Sequence, residues 1–191
     1  MRAFAIDQFG EAGSVRQLPE PAPQEGQVRV KVEAAALNPV DLGMSQGGFK
    51  GMMEHRFPLI PGMDVSGVVD SVGAGVTELE MGDVVFGVNG KMVVGEGTLA
   101  EYVTASASTF ARRPAAVDAV FGAALGLAGA SALQLMEIAE LQPGDAVLVI
   151  GAAGGIGSFL LQLAAAAGSN RSRSRGQSMM AMSVTWARWR Q

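Results

Sequence analysis

The run from residue 145 to residue 168 limits the possible fold more than any other stretch. Five consecutive apolar residues, 146–150, read as a buried parallel strand, and residues 158–167, rich in alanine and leucine, read as the helix after it. Between them lies a turn of mostly small residues: Gly151, Ala152, Ala153, Gly154, Gly155, Ile156 and Gly157. Counted from Ala152, the spacing Ala152-x-Gly154-x-x-Gly157 matches the dinucleotide-binding fingerprint with alanine at its first position. Small residues belong here because a pyrophosphate must reach backbone N–H groups at a helix N-terminus, where unpaired donors and the helix dipole both favour an anion. Gly154 would let the backbone approach the phosphate, and Gly157 would let helix and strand pack closely. A turn that only packs a helix on a strand has the same composition, so the motif alone leaves both readings open.

The 191 residues are enough for one domain or two small ones, and 49% hydrophobic with 17% charged residues describes a globular chain with ample core. The absence of cysteine excludes disulfides, thiolate metal sites and cysteine nucleophiles. No basic-then-apolar leader opens the chain, and no apolar run reaches the roughly 18 to 20 residues of a membrane span. A cytoplasmic protein without a membrane partner is therefore expected. Up to residue 169 there are nine Lys and Arg against all eighteen Asp and Glu, whereas residues 170–191 hold five arginines and no acid. An acidic body argues against nucleic acid as a partner, since neutralising phosphates needs a basic face.

Taken in order, residues 1–9 read as a first strand and residues 10–14 as a turn, with Pro19, Pro21 and Pro23 breaking any regular element after it. Residues 27–35 form a strong strand in which Val28, Val30 and Val32 alternate with polar residues. Asn38 and Pro39 begin a turn suited to a short helix, residues 43–51 a glycine-rich loop, and His55 a solvated position in a loop. Residues 62–73, 82–87 and 97–104 read as further strands, with glycines at intervals that suit a small, strongly curved barrel. From Pro114 the pattern becomes helical, over residues 115–122 and 128–141, before the turn at residues 142–145.

This order and these motifs resemble the medium-chain dehydrogenase/reductase superfamily, specifically its zinc-free NADPH:quinone oxidoreductase branch. The residues that carry the resemblance are Asn38-Pro-Val-Asp41, Pro61-Gly-Met-Asp-Val-Ser-Gly67, Val72-Gly-Ala-Gly-Val76, residues 82–87, Gly97-x-x-Ala-Glu-Tyr-Val103, residues 127–133 and the turn at 152–157. The fold class implied is β followed by α/β. A GroES-like β-barrel catalytic domain (1–114) and a helical joint (115–142) would precede the first strand-turn-helix of a Rossmann NADP-binding domain (143–169). The activity implied is transfer of hydride from NADPH to a small-molecule quinone or enone, in a family whose full-length members can form homodimers. In zinc-dependent relatives a cysteine near residue 38 and a His-Glu pair hold the metal. Asn38 and Met63-Asp64 stand at those places here, and a thioether with one carboxylate is not a zinc set.

By position in the family motif, Asn38 would line the nicotinamide end of the cleft, although an asparagine before proline also serves as an ordinary cap. Asp41 is a second catalytic candidate, with capping or orienting the turn as its other role. Ser131 matches a family threonine facing the nicotinamide; a serine bonded to its own helix carbonyl is the alternative. The cofactor-binding set is Ser131, Ala152, Ala153, Gly154, Gly155, Ile156 and Gly157. Gly43 falls where relatives keep a tyrosine, and Tyr102 and Asp64 read as structural.

Residues 170–191 break the pattern: a second strand is due near residue 171, yet the Arg-Ser repeat there has little β propensity, and no acid follows Asp145. The expectation is an arginine-rich, disordered tail produced by a shift of reading frame near residues 168–170, with solvated arginines rather than a 2′-phosphate site at Arg171, Arg173 and Arg175. The competing function is a non-catalytic GroES-like β module, or an inactive fragment, that acts at most in binding.

Overall fold

The computed structural model describes residues 1–91, 93–141, 145–168 and 170–173. The chain divides into two compact units, Met1–Leu127 and Ala128–Gln191, so the helical stretch expected as a joint is shared between them.

The first unit is built on β3 (Gln27–Ala36), β5 (Asp64–Val72), β6 (Val84–Val88), β8 (Tyr102–Ser106) and β9 (Phe110–Arg112), an antiparallel sheet in the order β8-β3-β5-β6-β9. Two-residue alternation sends Val28 and Val30 inward, where they meet Val65, Val69, Val85 and Val103 in one buried cluster. Each of these six valines is at most 1% exposed, so burial and β-branching favour the same conformation. Strand β3 is bulged: Val32 pairs with Gly67 and Ala34 with Ser66, which leaves Glu33 out of register. Glu33 there meets Arg113 at 3.0 Å, and Arg113 Nη1 donates to Ser66 Oγ at 2.7 Å. Smaller ladders complete the unit: β1 (Arg2–Ala5) with β2 (Ser14–Gln17), and β4 (Glu54–Ile60) with β7 (Val93–Glu96). Helix α1 (Pro39–Ser45) follows β3, and α2 (Ala119–Leu125), capped by Asp118 onto the Phe121 N–H, packs over β3, β5 and β6.

The second unit contains α3 (Leu127–Ala139, whose first residue ends the first unit), β10 (Ala146–Val149), α4 (Gly155–Ala166) and β11 (Asn170–Arg173). Strands β10 and β11 are parallel, Val147 opposite Arg171 and Val149 opposite Arg173, making a βαβ unit. Its core is Ala132, Val147, Val149 and Leu160, with Ala152, Ile156 and Phe159 packed against it. No single helix among the described residues is long and apolar enough to cross a membrane.

Several expectations need correction. A strand does start at residue 170, because pairing with β10 satisfies its backbone and outweighs weak side-chain propensity; residues 174–191, the rest of the expected disordered tail, lie outside the described residues. The strand at 146–149 buries one face only: Val147 and Val149 are buried, whereas Leu148 and Ile150 are 36% and 47% exposed. Helix α4 begins at Gly155 rather than Ser158, so the glycines of the turn form its first turn. His55 lies in β4, half-buried, with Nδ1 2.9 Å from the Met53 carbonyl and its ring edge-on to Phe9. Strands β2, β7 and β9 lie in stretches too short or too polar to show alternation. The ladders of the first unit are joined by bridges between Ala3 and Ala100 and between Ile6 and Leu59, in keeping with the expected GroES-like domain.

Candidate functional site

Strand β3 ends at Ala36, directly opposite Asp64, the first residue of β5. The ladder therefore brings Asn38, two residues on, to the carboxyl of Asp64. Asn38 is the extended N-cap of α1, and Pro39 starts the helix without needing an N–H. Its backbone N–H donates to Asp41 Oδ2 at 2.7 Å, while its side-chain Nδ2 donates to Asp64 Oδ2 at 2.8 Å. Asp64 Oδ1 accepts the Leu127 N–H at 2.7 Å, one of the orphan donors at the start of α3.

Asp41 and Asp64 are 2% and 1% exposed. Burial pushes the Asp41 carboxyl above its ordinary range, opposed by hydrogen bonds from Asn38 and the Gly62 N–H. Burial raises Asp64 as well, against the Asn38 amide and the Leu127 N–H, and the charge of Asp41 adds to the rise. Asp41 Oδ1 finds no partner of good hydrogen-bond geometry, and Asp41 borders a cavity of about 30 Å³, room for about one water.

Asp41 thus sits as the acidic arm of the α1 cap, and Asn38 has one amide hydrogen committed to Asp64. Reading Asp64 only as structural missed this bond. The available signal was a lone acid at the head of an apolar strand, a place where a carboxylate must find donors. An amide and one carboxylate bonded to each other do not form a zinc donor set, and no three His, Cys, Asp or Glu gather at one place among the described residues. A Cβ on Gly43 would make an ordinary contact with the Phe49 ring at 3.7 Å, and Tyr102 lies under the Arg29 guanidinium at 5.2 Å.

In the second unit the turn after β10 carries Gly151 at φ 77°, a conformation natural to glycine. Gly154 is the N-cap of α4 and makes no side-chain cap bond; Ser158 N–H donates to its carbonyl at 2.9 Å. The N–H groups of Gly155, Ile156 and Gly157 thus belong to the first turn of a helix that no side chain caps. Ala153, Gly154 and Gly155 are exposed, Ala152 and Ile156 half-buried and Gly157 buried. A Cβ on Gly157 would meet the Gly151 carbonyl and stand 2.8 Å from Ala152 Cα, so only glycine lets the turn close. The helix end is open to an anion, as a dinucleotide pyrophosphate requires. Ser131 is half-buried on α3, and its hydroxyl makes no hydrogen bond among the described residues, so the carbonyl bond weighed for it is not formed.

Residues 24–115 match the family model described as an alcohol dehydrogenase GroES-like domain. The chloroplastic NADPH-dependent alkenal/one oxidoreductase of Arabidopsis thaliana is 37% identical over 171 residues, covering 86% of this chain and 44% of that protein. The quinone oxidoreductase of Lama guanicoe is 35% identical over 170 residues, covering 87% and 50%. Among solved structures, the quinone oxidoreductase of Coxiella burnetii superposes with a TM-score of 0.78 at 34% identity, covering 88% of this chain and 54% of that one. The chain spans about half the length of the relatives it matches.

Proposed function

The chain belongs to the medium-chain dehydrogenase/reductase superfamily, and from that premise we propose that it is a zinc-independent oxidoreductase that uses NADPH to reduce a quinone or an activated alkene. The observation that carries the reading is the uncapped start of α4 behind β10, with Gly157 too crowded to bear a side chain. Names of relatives, which include an NADPH-dependent alkenal/one oxidoreductase and quinone oxidoreductases, support the reaction class.

When bound, NADPH supplies the hydride, and the protein's part is to bind, orient and polarise. The amides of Gly155, Ile156 and Gly157 and the dipole of α4 take the pyrophosphate, and Ala152, Ala153 and Gly154 keep its approach free of bulk. The uncommitted Ser131 hydroxyl is free to donate to the nicotinamide end. Asn38 orients the acceptor with the amide atoms that Asp64 does not occupy, and Asp41 fixes the backbone from which Asn38 projects. No acid follows Asp145 within these 191 residues to grip a ribose 2′-hydroxyl, which favours the phosphorylated cofactor.

Thermal unfolding with and without NADPH tests the reading. A ligand at one hundred times its dissociation constant stabilises by about 2.7 kcal/mol, a plain rise in melting temperature. No rise at millimolar NADPH would leave the second reading, a GroES-like module that only binds.

A further inference from the structure

A primary amide can sit two ways. Rotating Asn38 by half a turn about its last torsion exchanges Oδ1 for Nδ2, an acceptor for a donor, with almost no change in shape. A residue that orients a ligand through such a group needs something to choose between the two. We propose that Asp64 is the positioning residue for Asn38: its carboxylate holds the nitrogen end of the amide and so determines which amide atoms remain for a ligand. The inference rests on the role given to Asn38 above.

Three observations support it. An ionised carboxylate only accepts, so at 2.8 Å it selects Nδ2 over Oδ1 through a charge-assisted bond. The carboxyl is itself held: the Leu127 N–H engages Oδ1 at 2.7 Å, and Gly126 lies so close that a Cβ there would stand 3.0 Å from Asp64 Cγ. A donor on each oxygen holds its plane. Finally, the pairing of Ala36 with Asp64 sets the spacing through the sheet rather than through a loop. The other acid facing this cluster, Asp41 on α1, takes the backbone N–H of Asn38, so main chain and side chain are held by separate carboxylates.

The test follows the ¹⁵N side-chain amide of Asn38 by NMR in the 191-residue chain, in wild type and in Asp64→Asn. A carboxamide at position 64 keeps one acceptor oxygen for two donors, so the Asn38 amide proton should exchange roughly tenfold faster or more, with an upfield shift. An Asn38 side-chain signal unchanged in Asp64→Asn, with protection lost only at the Leu127 amide, would make Asp64 a mere cap of α3 and overturn the proposal. If the variant does not fold, the wild-type chain decides. The Asn38 side-chain resonance should track the ionisation of Asp64 seen at its ¹³Cγ, while the Asn38 backbone N–H tracks Asp41. A side-chain signal indifferent to Asp64 overturns the proposal equally. None of these signals needs NADPH, so a failure to bind cofactor would count against the functional reading alone.

Discussion

Ala152 Cα lies where Gly157 cannot acquire a side chain: a Cβ on Gly157 would stand 2.8 Å from it. The first turn of α4 is thus pressed against the end of the β10 turn, and the helix start is shaped by this contact. Gly157→Ala should destabilise the chain by about 1–3 kcal/mol in urea denaturation and abolish the thermal shift with NADPH. Gly155→Ala is the control: its Cβ would meet Ala128 Cβ at an ordinary 3.4 Å, and its stability should match wild type within about 0.5 kcal/mol.

The buried acids predict a pH dependence with a definite sign. Asp41 and Asp64 are raised by burial above the ordinary value of 3.8, so the unfolded chain releases their protons first. Their contribution to stability is complete below that value and is lost as pH climbs through the raised folded values. Asp83, held low by the Arg112 guanidinium, and Glu101, held low by the Arg2 backbone N–H, act in the opposite sense, their contribution being lost as pH falls. Replacing Asp64 by Asn should remove part of the decline toward neutral pH. Melting curves from pH 4 upward check it, and equal slopes in variant and wild type would sink the idea.

Arg113 is nearly buried, at 12% side-chain exposure, and joins Ser66 on β5 to Glu33 in the bulge of β3. Arg113→Ala leaves the Ser66 hydroxyl without one partner and Glu33 without its counter-charge, a loss of about 1–3 kcal/mol. Arg113→Lys should recover only part of it, since an ammonium cannot span both groups in the same plane. Chemical denaturation of the three proteins gives the ranking.

Among the described residues of the second unit Leu160 is the largest fully buried side chain, packed with Ala132, Val147 and Val149. Leu160→Ala should cost about 2–5 kcal/mol of that unit's stability and weaken NADPH binding. Hydrogen exchange should speed in α4 and β10 and stay unchanged in β3 and β5. Loosening of β3 to the same degree would show that the two units unfold together.

The parts of this fold legible in the sequence were those in which burial pattern and local preference agree. Val28 and Val30 alternate with charged neighbours, and β3 lies where that alternation places it; α3 and α4 follow their alanine- and leucine-rich runs. Strand β11 could not be read because its partner, not its own side chains, holds it: Asn170 to Arg173 pair residue by residue with β10. His55 was hidden for a related reason, since Glu54 and Arg56 suggest a solvated loop, whereas β7 and Phe9 draw the histidine into a strand. At the candidate site, Asn38, Asp41 and the glycine turn stand in motifs and could be named in advance. The bond from Asn38 to Asp64 spans 26 residues and depends on the register of β3 against β5, which no local pattern encodes.

On the β3 side that register contains one supernumerary residue. Glu33 has no opposite number on β5, so the strand passes it as slack before resuming its beat at Ala34. Deleting Glu33 would let Ala34 follow Val32 directly, each still opposite its present partner, so Ala36 would keep its place across from Asp64 and Asn38 its approach to that acid. What the deletion would take away is the anion beside Arg113. The surplus residue is thus dispensable to the ladder and present for its charge alone.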